Sequence, residues 1–273
     1  MRVAVIGGSG IYDPGILESP QKQVAATPFG DVEFEHGKHG DVDVVFLQRH
    51  GAGHTIPPHK INYRANMWAL WQAGVDRVVS TSAVGSLDPG MPPGSMVLVD
   101  QFIDLTKSRA TTYFDGGEFG LTHTDFTEPY CPSLRGLIQT TAGRNGLPCR
   151  NGGTYICVDG PRYETRAEIR SFRTLGADVV GMTNVPEVVL ARELGICYAT
   201  ICLVTNWAAG LAGARLAHGD VVAVMTENLG HLKSLLKDLL KRMGEAGRGC
   251  GCGTALDRVG RHSRYPVTRQ PRL

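Results

Sequence analysis

Three stretches of the chain share one pattern of polar and apolar positions: a helix-like segment ends at a glycine, and a β-branched apolar run follows. The stretches are WALWQAG before VDRVVSTSAV, FRTLGA before DVVGM, and ARELGI before CYATICLV. Glycine suits the left-handed residue that closes a helix, and continuous apolar runs are typical of strands buried on both faces. The pattern predicts helix-then-strand winding in an α/β fold, with a mixed or parallel sheet covered by helices.

The last periodic segment, residues 220–243, predicts a closing amphipathic helix. Apolar side chains recur there every three or four positions, with lysines between them: Met225, Leu229, Leu232, Leu236, Leu239 and Met243. No linker or internal repeat divides the chain before this helix ends. We therefore predict one domain over residues 1–244 and a basic, Gly/Cys/Arg-rich tail over 245–273, which has too little apolar content to order itself.

Composition narrows the class of protein. The chain has 273 residues, of which 42% are hydrophobic and 20% charged, as in ordinary globular proteins that bury a large core. The apolar runs are shorter than the ~20 residues of a membrane span, and Met1 leads directly into the strand-like RVAVI without the features of a signal peptide. We expect a cytoplasmic protein that does not associate with membranes.

Charge and cysteine content exclude further classes. The net charge is +2, and the tail carries six arginines against two acids, so the body is slightly acidic and is not expected to bind nucleic acid. Seven cysteines, an odd number, do not indicate a disulfide framework. Cys250 and Cys252 form a close pair, but two thiols without a second ligand pair make a poor zinc site, and we predict no metal.

A glycine-rich turn, IGGSGIY, follows the first predicted strand. Such a turn lets backbone amides and the hydroxyl of Ser9 approach an anion. The dinucleotide fingerprint is incomplete, because Asp13 stands where its third glycine belongs and Pro14 follows without a clear helix start. The turn therefore favours an anion the size of phosphate.

Polar side chains also follow other predicted strands. Arg49 and His50 come after VDVVFLQ, Ser82 and Ala83 come at the end of the next strand, and Thr183 follows GM in GMTNVPEVV. Ligands of open α/β sheets collect beyond the carboxyl ends of the strands, and these residue types bind anions. One phosphate site explains all of these positions together.

Each of these positions also has a simpler explanation when it is taken alone. Arg49 and His50 could lie in an exposed loop, and Thr183 could cap the helix that is predicted to start near Pro186. The spacing of His50, His54 and His59 could suggest a metal, but the loop has no nearby carboxylate or cysteine.

A carboxylate and an amide stand in two further segments. Tyr163 and Glu164 lie in DGPRYETRAEI, where the acid could be a routine first-turn residue of a helix. Asn206 ends the apolar strand ICLVTN, and an amide at the end of a buried strand is unfavourable unless a ligand or the backbone pairs with it. Asn206 is therefore a candidate ligand-binding residue.

Together these segments resemble the methylthioadenosine phosphorylase and purine nucleoside phosphorylase family. The family motifs occur in order between residues 2 and 243: GGSGIY, RHGAGHTIPPHKINYRANMWAL, STSAVGSLDPG, DQFIDLT, GPRYETRAE, GMTNVPEVVLARE and VTNWAAG. The resemblance implies a phosphorylase-type α/β/α sandwich with a central mixed sheet and a homotrimer or a dimer of trimers. It also implies a reaction in which nucleoside and inorganic phosphate, as co-substrate, give free base and sugar 1-phosphate without a cofactor.

The resemblance also implies roles for individual residues. Phosphate would be bound by Ser9, Arg49, His50, Ser82, Ala83 and Thr183. Met182 would pack on the sugar and Tyr163 against the base, while a neighbouring subunit would lend His123 to the sugar pocket. The base would contact Asn206, Trp207 and Ala208, and Asn206 would be the catalytic residue.

Substrate specificity is where the chain departs from the methylthioadenosine enzymes. Their pattern after the last core strand is Thr-Asp-x-Asp, which suits adenine, whereas this chain has Thr-Asn-Trp-Ala at 205–208. The amide of Asn206 and the carboxylate of Glu164 complement O6 and N1–H of a 6-oxopurine. His218, near the start of the last helix, could hydrogen-bond a 5′-hydroxyl.

These features predict phosphorolysis of inosine and guanosine in purine salvage. The alternative within the family is a phosphorylase of S-methyl-5′-thioadenosine or S-methyl-5′-thioinosine. A nucleoside-binding protein without turnover and an NAD-dependent oxidoreductase are weaker alternatives, because binding alone needs no phosphate site and the dinucleotide fingerprint is incomplete.

Overall fold

Eleven strands form one mixed sheet in the part of the chain that the computed structural model describes, which comprises residues 1–8, 15–211, 218–245, 247 and 249–254. In chain order they are β1 (Arg2–Gly7), β2 (Glu18–Ala25), β3 (Val32–His39), β4 (Val42–Gln48), β5 (Arg77–Ser86), β6 (Met96–Leu98), β7 (Gln101–Asp104), β8 (Cys149–Asn151), β9 (Thr154–Cys157), β10 (Val179–Gly181) and β11 (Cys197–Trp207). Within the same residues lie the α-helices α1 (Tyr63–Gln72), α2 (Pro132–Arg144), α3 (Arg166–Thr174), α4 (Asn184–Glu193) and α5 (His218–Glu245).

Strand β5 is the centre of the sheet. The order from one side is β2-β3-β4-β1-β5-β10-β9-β7, while β11 pairs with β5 and leads through β6 to β8. Parallel β11 accompanies one edge of β5 along its whole length. The other edge pairs with parallel β1 from Arg77 to Ser80 and with antiparallel β10 at Gly85 and Ser86. Residues 81–84 therefore face a gap between the ends of two neighbouring strands.

Helices cover both faces of this sheet. In β1, Ala4 and Ile6 belong to an apolar cluster that includes side chains of α1 and α4, whereas Val3 and Val5 belong to another that includes side chains of α2 and α5. All four residues are fully buried. Because side chains alternate along a strand, an apolar run of this kind needs a helix layer on each face. The α/β/α sandwich with a mixed sheet confirms the predicted fold class.

The three predicted helix-closing glycines are confirmed. Gly74, Gly176 and Gly195 follow α1, α3 and α4, and their φ angles are +75°, +86° and +66°. In each case a strand begins within a few residues, as β5, β10 and β11. A side chain at such a φ angle clashes with the backbone, so these positions require glycine in order to end the helix sharply.

The closing helix is confirmed as α5. Its buried side chains include Met225, Leu232, Leu236, Leu239 and Met243 of the predicted stripe. Within the described residues, no helix combines the length and apolar character that crossing a bilayer requires.

The sequence predicts an unordered tail from residue 245 onwards. This prediction is wrong for residues 249–254, which follow α5. The hydroxyl of Ser133 donates to the carbonyl of Gly249 over 2.9 Å, and Cys252 is only 4% exposed. This segment packs because cysteine, which behaves as a small apolar side chain, finds a site against α2 and β11. Residues 255–273 lie outside the described part of the chain.

A pair of glycine substitutions tests the conformational argument. Gly176→Ala places a side chain at φ +86° with open space around it, so it should lower the free energy of unfolding by about 1–2 kcal/mol through backbone strain alone. Gly230→Ala, at an exposed and equally open position inside α5, should raise that free energy by about 0.5–1 kcal/mol. Urea denaturation measures the free energy of unfolding of both variants. Changes in the same direction would contradict the conclusion that Gly176 is needed for its positive φ angle.

Candidate active site

A cavity of about 610 Å³ opens at the gap beside β5. Its volume falls in the range of roughly 300–1,000 Å³ that is typical of small-molecule sites. Nine of the predicted site residues line it: Arg49, His50, Ser82, Ala83, Tyr163, Glu164, Met182, Thr183 and Asn206. These nine residues therefore surround one cavity, and their roles in binding stay predictions. Ser82 lies within β5 rather than at its end, and β10 runs antiparallel to β5.

Arg49 is held by a buried carboxylate that the sequence analysis did not single out. Its Nε and Nη2 atoms donate to the two oxygens of Glu187 over 2.7 and 2.8 Å, and both side chains are 1% exposed. Nη2 also donates to Ser80 Oγ, and Nη1 donates to the carbonyl of Thr81 over 2.9 Å. These contacts engage four of the five N–H groups of the guanidinium.

The ion pair fixes the charge of Arg49. Burial opposes a charged guanidinium, but the carboxylate of Glu187 outweighs it and raises the pKa of Arg49 further. Tyr198 also donates to this carboxylate, over 2.7 Å. The cation is therefore permanent, and its orientation is fixed before any ligand binds.

His50 stands next to this pair as a neutral imidazole. Burial and then the charge of Arg49 lower the pKa of His50 to about 4. Its Nδ1 lies 2.9 Å from the carbonyl of Ile56, which can only accept, so Nδ1 carries the proton. The ring of His54 packs against that of His50 with 4.1 Å between centroids and a tilt of 34°, and His54 also lines the cavity.

A cluster of hydroxyls adjoins the cavity at Ser82 and Thr183. Ser82 Oγ is 3.4 Å from Thr183 Oγ1 and 3.4 Å from the hydroxyl of Tyr155, which also accepts from the backbone N–H of Thr183 over 3.3 Å. Thr183 precedes α4, but its side chain makes no capping hydrogen bond, so capping does not account for it. Any side chain at Gly181 would collide with the Tyr155 hydroxyl.

The glycine-rich turn begins beside Arg49. A Cβ atom at Gly8 would lie 2.9 Å from Arg49 Nη1 and 2.5 Å from the carbonyl of Thr81, so only glycine fits there. The backbone N–H of Gly8 donates to Thr81 Oγ1 over 3.0 Å. Ser9 itself lies outside the described residues, and its role in phosphate binding stays a prediction.

Glu164 and Tyr163 line the cavity from the segment before α3. Helix α3 is capped by Thr165 and Glu168, which exchange both bonds of a capping box, so Glu164 is not the first-turn acid. Glu164 is 9% exposed, and burial raises its pKa. Nearby, Gly160 at φ +64° leaves room for the sulfur of Met182.

A β-bulge directs Asn206 into the cavity. The pairing of β11 with β5 skips Thr205 between Val204 and Asn206, and an extra residue of this kind re-aims neighbouring side chains. Thr205 Oγ1 donates to Asn206 Oδ1 over 2.9 Å, which leaves the amide nitrogen as the donor of the group. Asn206 Nδ2 donates to the carbonyl of Trp207 over 2.9 Å and so uses one of its two N–H groups.

Among the described residues, three predicted ones do not line the cavity of this chain: Trp207, Ala208 and His123. Ala208 is buried in an apolar cluster with Phe172 and Val180, and Trp207 is half-buried at the end of β11. His123 is exposed in the segment between β7 and α2. His218 is the first residue of α5, and its side chain lies outside the described part of the chain.

Known proteins are similar to this chain in sequence and in fold. The family profile described as "Phosphorylase superfamily" matches residues 2–241. The chain is 50% identical to the "6-oxopurine nucleoside phosphorylase" of Pyrococcus furiosus, over 93% of this chain and 97% of that protein. It is 45% identical to the "S-methyl-5'-thioadenosine phosphorylase" of Thermofilum pendens, over 94% and 97%. A solved structure, "Methylthioadenosine phosphorylase from Schistosoma mansoni in complex with adenine", has a TM-score of 0.89 at 30% identity, over 97% of this chain and 99% of that chain.

The buried ion pair makes a stability prediction. Arg49→Ala and Glu187→Ala should each lower the free energy of unfolding by about 3–5 kcal/mol, because each leaves the opposite charge buried and unpaired. The double variant should cost clearly less than the sum of the two single variants. Denaturant titration of all four proteins measures this coupling.

An exposed ion pair provides the matched control. Arg150 donates to Asp88 over 2.8 Å, but its side chain is 50% exposed. Arg150→Ala should cost no more than about 1 kcal/mol. Strictly additive effects of the Arg49 and Glu187 substitutions would show that the buried pair does not act as a unit.

Proposed function

The chain belongs to the phosphorylase superfamily, and from that premise we propose that its cavity catalyses the phosphorolysis of 6-oxopurine nucleosides. Inosine or guanosine and inorganic phosphate are converted to free base and ribose 1-phosphate. The observation that carries the proposal is the presence of Glu164 and Asn206 in the same cavity as Arg49, Ser82 and Thr183. Glu164 and Asn206 can pair with the lactam edge of a 6-oxopurine. The cation and hydroxyls of the other three residues can bind an anion.

The phosphate end of the site supplies a fixed cation and hydroxyl donors. The remaining N–H of Arg49 and the hydroxyls of Ser82 and Thr183 can donate to phosphate oxygens. They hold the anion next to the anomeric carbon, so that a phosphate oxygen forms the new C–O bond as the C–N glycosidic bond breaks. We infer that Ser9 and the loop of His50 complete this end, and that the reaction requires no metal or other cofactor.

The base end stabilises the leaving group. The electron pair of the broken bond passes into the purine ring, and the amide nitrogen of Asn206 donates to the negative charge that develops there. The carboxylate of Glu164 accepts from N1–H of a 6-oxopurine, whereas N1 of adenine carries no hydrogen and would face it acceptor to acceptor. Met182 and Tyr163 supply apolar surface for the sugar and the base.

S-Methyl-5′-thioadenosine or S-methyl-5′-thioinosine phosphorolysis is the second candidate, because a relative named for the first of these activities is also similar to this chain. The substituent at the sugar 5′ position separates the candidates. We propose that His218, at the start of α5, forms a hydrogen bond with a 5′-hydroxyl of the sugar.

We further propose that the protein works in cytoplasmic purine salvage as a homotrimer or a dimer of trimers. The resemblance of the chain to this family supports an oligomer. His123 is exposed and outside the cavity of its own chain, and in such an oligomer a neighbouring subunit would bring it to the sugar. Analytical ultracentrifugation tests the assembly, and a monomer with full activity would contradict it.

A substrate panel tests the proposed activity. Inosine and guanosine should be cleaved only when phosphate is present, with kcat/KM at least about 10²-fold above that for adenosine or methylthioadenosine, because these place an acceptor opposite Glu164. Base release is followed by absorbance with and without phosphate. Faster cleavage of a 6-aminopurine nucleoside would overturn the specificity, and release without phosphate would overturn the reaction.

The raised pKa of Glu164 predicts a pH dependence. Only the ionised carboxylate accepts from N1–H, so kcat/KM for inosine should fall as pH drops through the raised pKa of this group. Glu164→Gln keeps an acceptor that does not titrate and should flatten this limb of the profile. Titration of phosphate affects both proteins equally, so the difference between the two profiles isolates Glu164. Identical profiles would contradict its role.

Asn206 should act on turnover more than on substrate binding. Asn206→Ala removes a donor to the developing charge and should lower kcat about 10²–10³-fold with little change in KM. Ala208→Ser, two residues further along at a buried position that does not line the cavity, is the control that should keep most of the turnover. An Asn206→Ala enzyme with normal kcat would remove the residue from catalysis.

A further inference from the structure

Four cysteine side chains from separate segments meet away from the cavity described above. Cys131 precedes α2, Cys197 begins β11, and Cys250 and Cys252 belong to the segment that follows α5. Their sulfur atoms all lie within 4.8 Å of one another, and those of Cys197 and Cys250 are 3.3 Å apart. Cys131, Cys197 and Cys252 are buried, while Cys250 is partly exposed.

This spacing fits a tetrahedral metal centre. Zinc binds four thiolates at about 2.3 Å each, which places the sulfurs about 3.8 Å apart. Four sulfurs that are all mutual neighbours surround one point, whereas two separate disulfides would require only two close pairs. The second pair of ligands, which the CGC sequence alone lacks, is supplied by Cys131 and Cys197.

Hydrogen-bond donors approach two of these sulfurs. Cys131 is the N-cap residue of α2, and the backbone N–H of Leu134 donates to its sulfur over 3.4 Å. Arg192 Nη1 donates to the sulfur of Cys252 over 3.8 Å. Helix N-termini, backbone N–H groups and guanidinium groups are the partners that stabilise thiolates.

A second arginine lies close to the cluster. Arg77, which is 5% exposed, lines a cavity of about 320 Å³ together with Cys131, Cys197 and Cys250. A zinc ion with four thiolates carries a net charge of about −2, and the guanidinium group of Arg192 next to Cys252 offsets part of it. The cavity also gives an ion a route to the sulfurs from solvent.

We propose that Cys131, Cys197, Cys250 and Cys252 bind one zinc ion as a structural tetrathiolate site. Four protein ligands leave no open coordination position, so the ion does not take part in catalysis. Cys197 begins β11 and Asn206 lies nine residues further along it, which puts the metal roughly 30 Å from the base end of the active site. The ion fastens the segment after α5 to α2 and β11.

Metal analysis of the full-length protein tests the proposal. The protein is produced in zinc-supplemented medium and purified with a reductant, and zinc per chain is measured by mass spectrometry. We expect one equivalent in the wild type and in Cys149→Ser, whose cysteine is outside the cluster, and none in the double variant Cys250→Ser/Cys252→Ser. Reduced wild-type protein with essentially no zinc, or equal zinc in all three proteins, would overturn the site.

Two further measurements use only the wild type, so that poor folding of a variant cannot obscure the result. Cobalt substituted for zinc should give the intense visible and sulfur-to-metal charge-transfer bands of a tetrahedral tetrathiolate. A chelator should lower the Tm of the zinc-loaded protein, with readdition of zinc restoring it. Octahedral cobalt bands, or a metal-free protein whose four sulfurs are paired as two disulfides under the same reducing conditions, would refute the proposal.

Discussion

The buried pair of Arg49 and Glu187 is the constraint on which the rest of the site depends. Two opposite charges without solvent must stay together, because separating them would leave each one desolvated and uncompensated. The pair draws together the end of β4, the middle of β5 through Ser80, the start of α4, and β11 through Tyr198. These elements carry the groups that line the cavity. Such a pair adds little net stability compared with apolar packing, and its effect is to fix the position of the elements.

The cavity itself results from incomplete pairing along β5. Strand β1 stops at Gly7 and β10 reaches only Gly85 and Ser86, so the polar atoms at Ser82 lie inside a sheet and yet face open space. Glycines at 8 and 181 allow the backbone to approach Arg49 and Tyr155 more closely than any other residue could. The site is therefore formed by strand interiors and backbone as much as by loops.

The fold could be predicted from the sequence because its signals are local. Glycines 74, 176 and 195 close helices through their own φ angles, and the stripe of α5 follows from helical periodicity. The site was predictable in part, since polar residues next to apolar strands indicate ligands wherever they converge. Ser9 and His218 remain predictions.

The remaining features depend on contacts between distant segments. Glu187, in VPEVVLARE, has the sequence signature of an ordinary acid in a helical first turn, and only the fold shows that Arg49 lies against it. Tyr155 resembles any core aromatic residue, because nothing local shows where its hydroxyl points. The cysteines at 131 and 197 become candidate metal ligands only in the fold, where the segment after α5 places Cys250 and Cys252 next to them.

The central position of β5 also bears on how the chain is made. Its partner β11 follows roughly 110 residues later in the sequence, which at ribosomal rates is a delay on the order of ten seconds. During that interval an apolar strand with an unpaired edge is already synthesised. Contacts so distant in sequence form slowly, and open edges recruit other strands. The nascent polypeptide is therefore more exposed to aggregation before β11, which ends at Trp207, has been synthesised than after it.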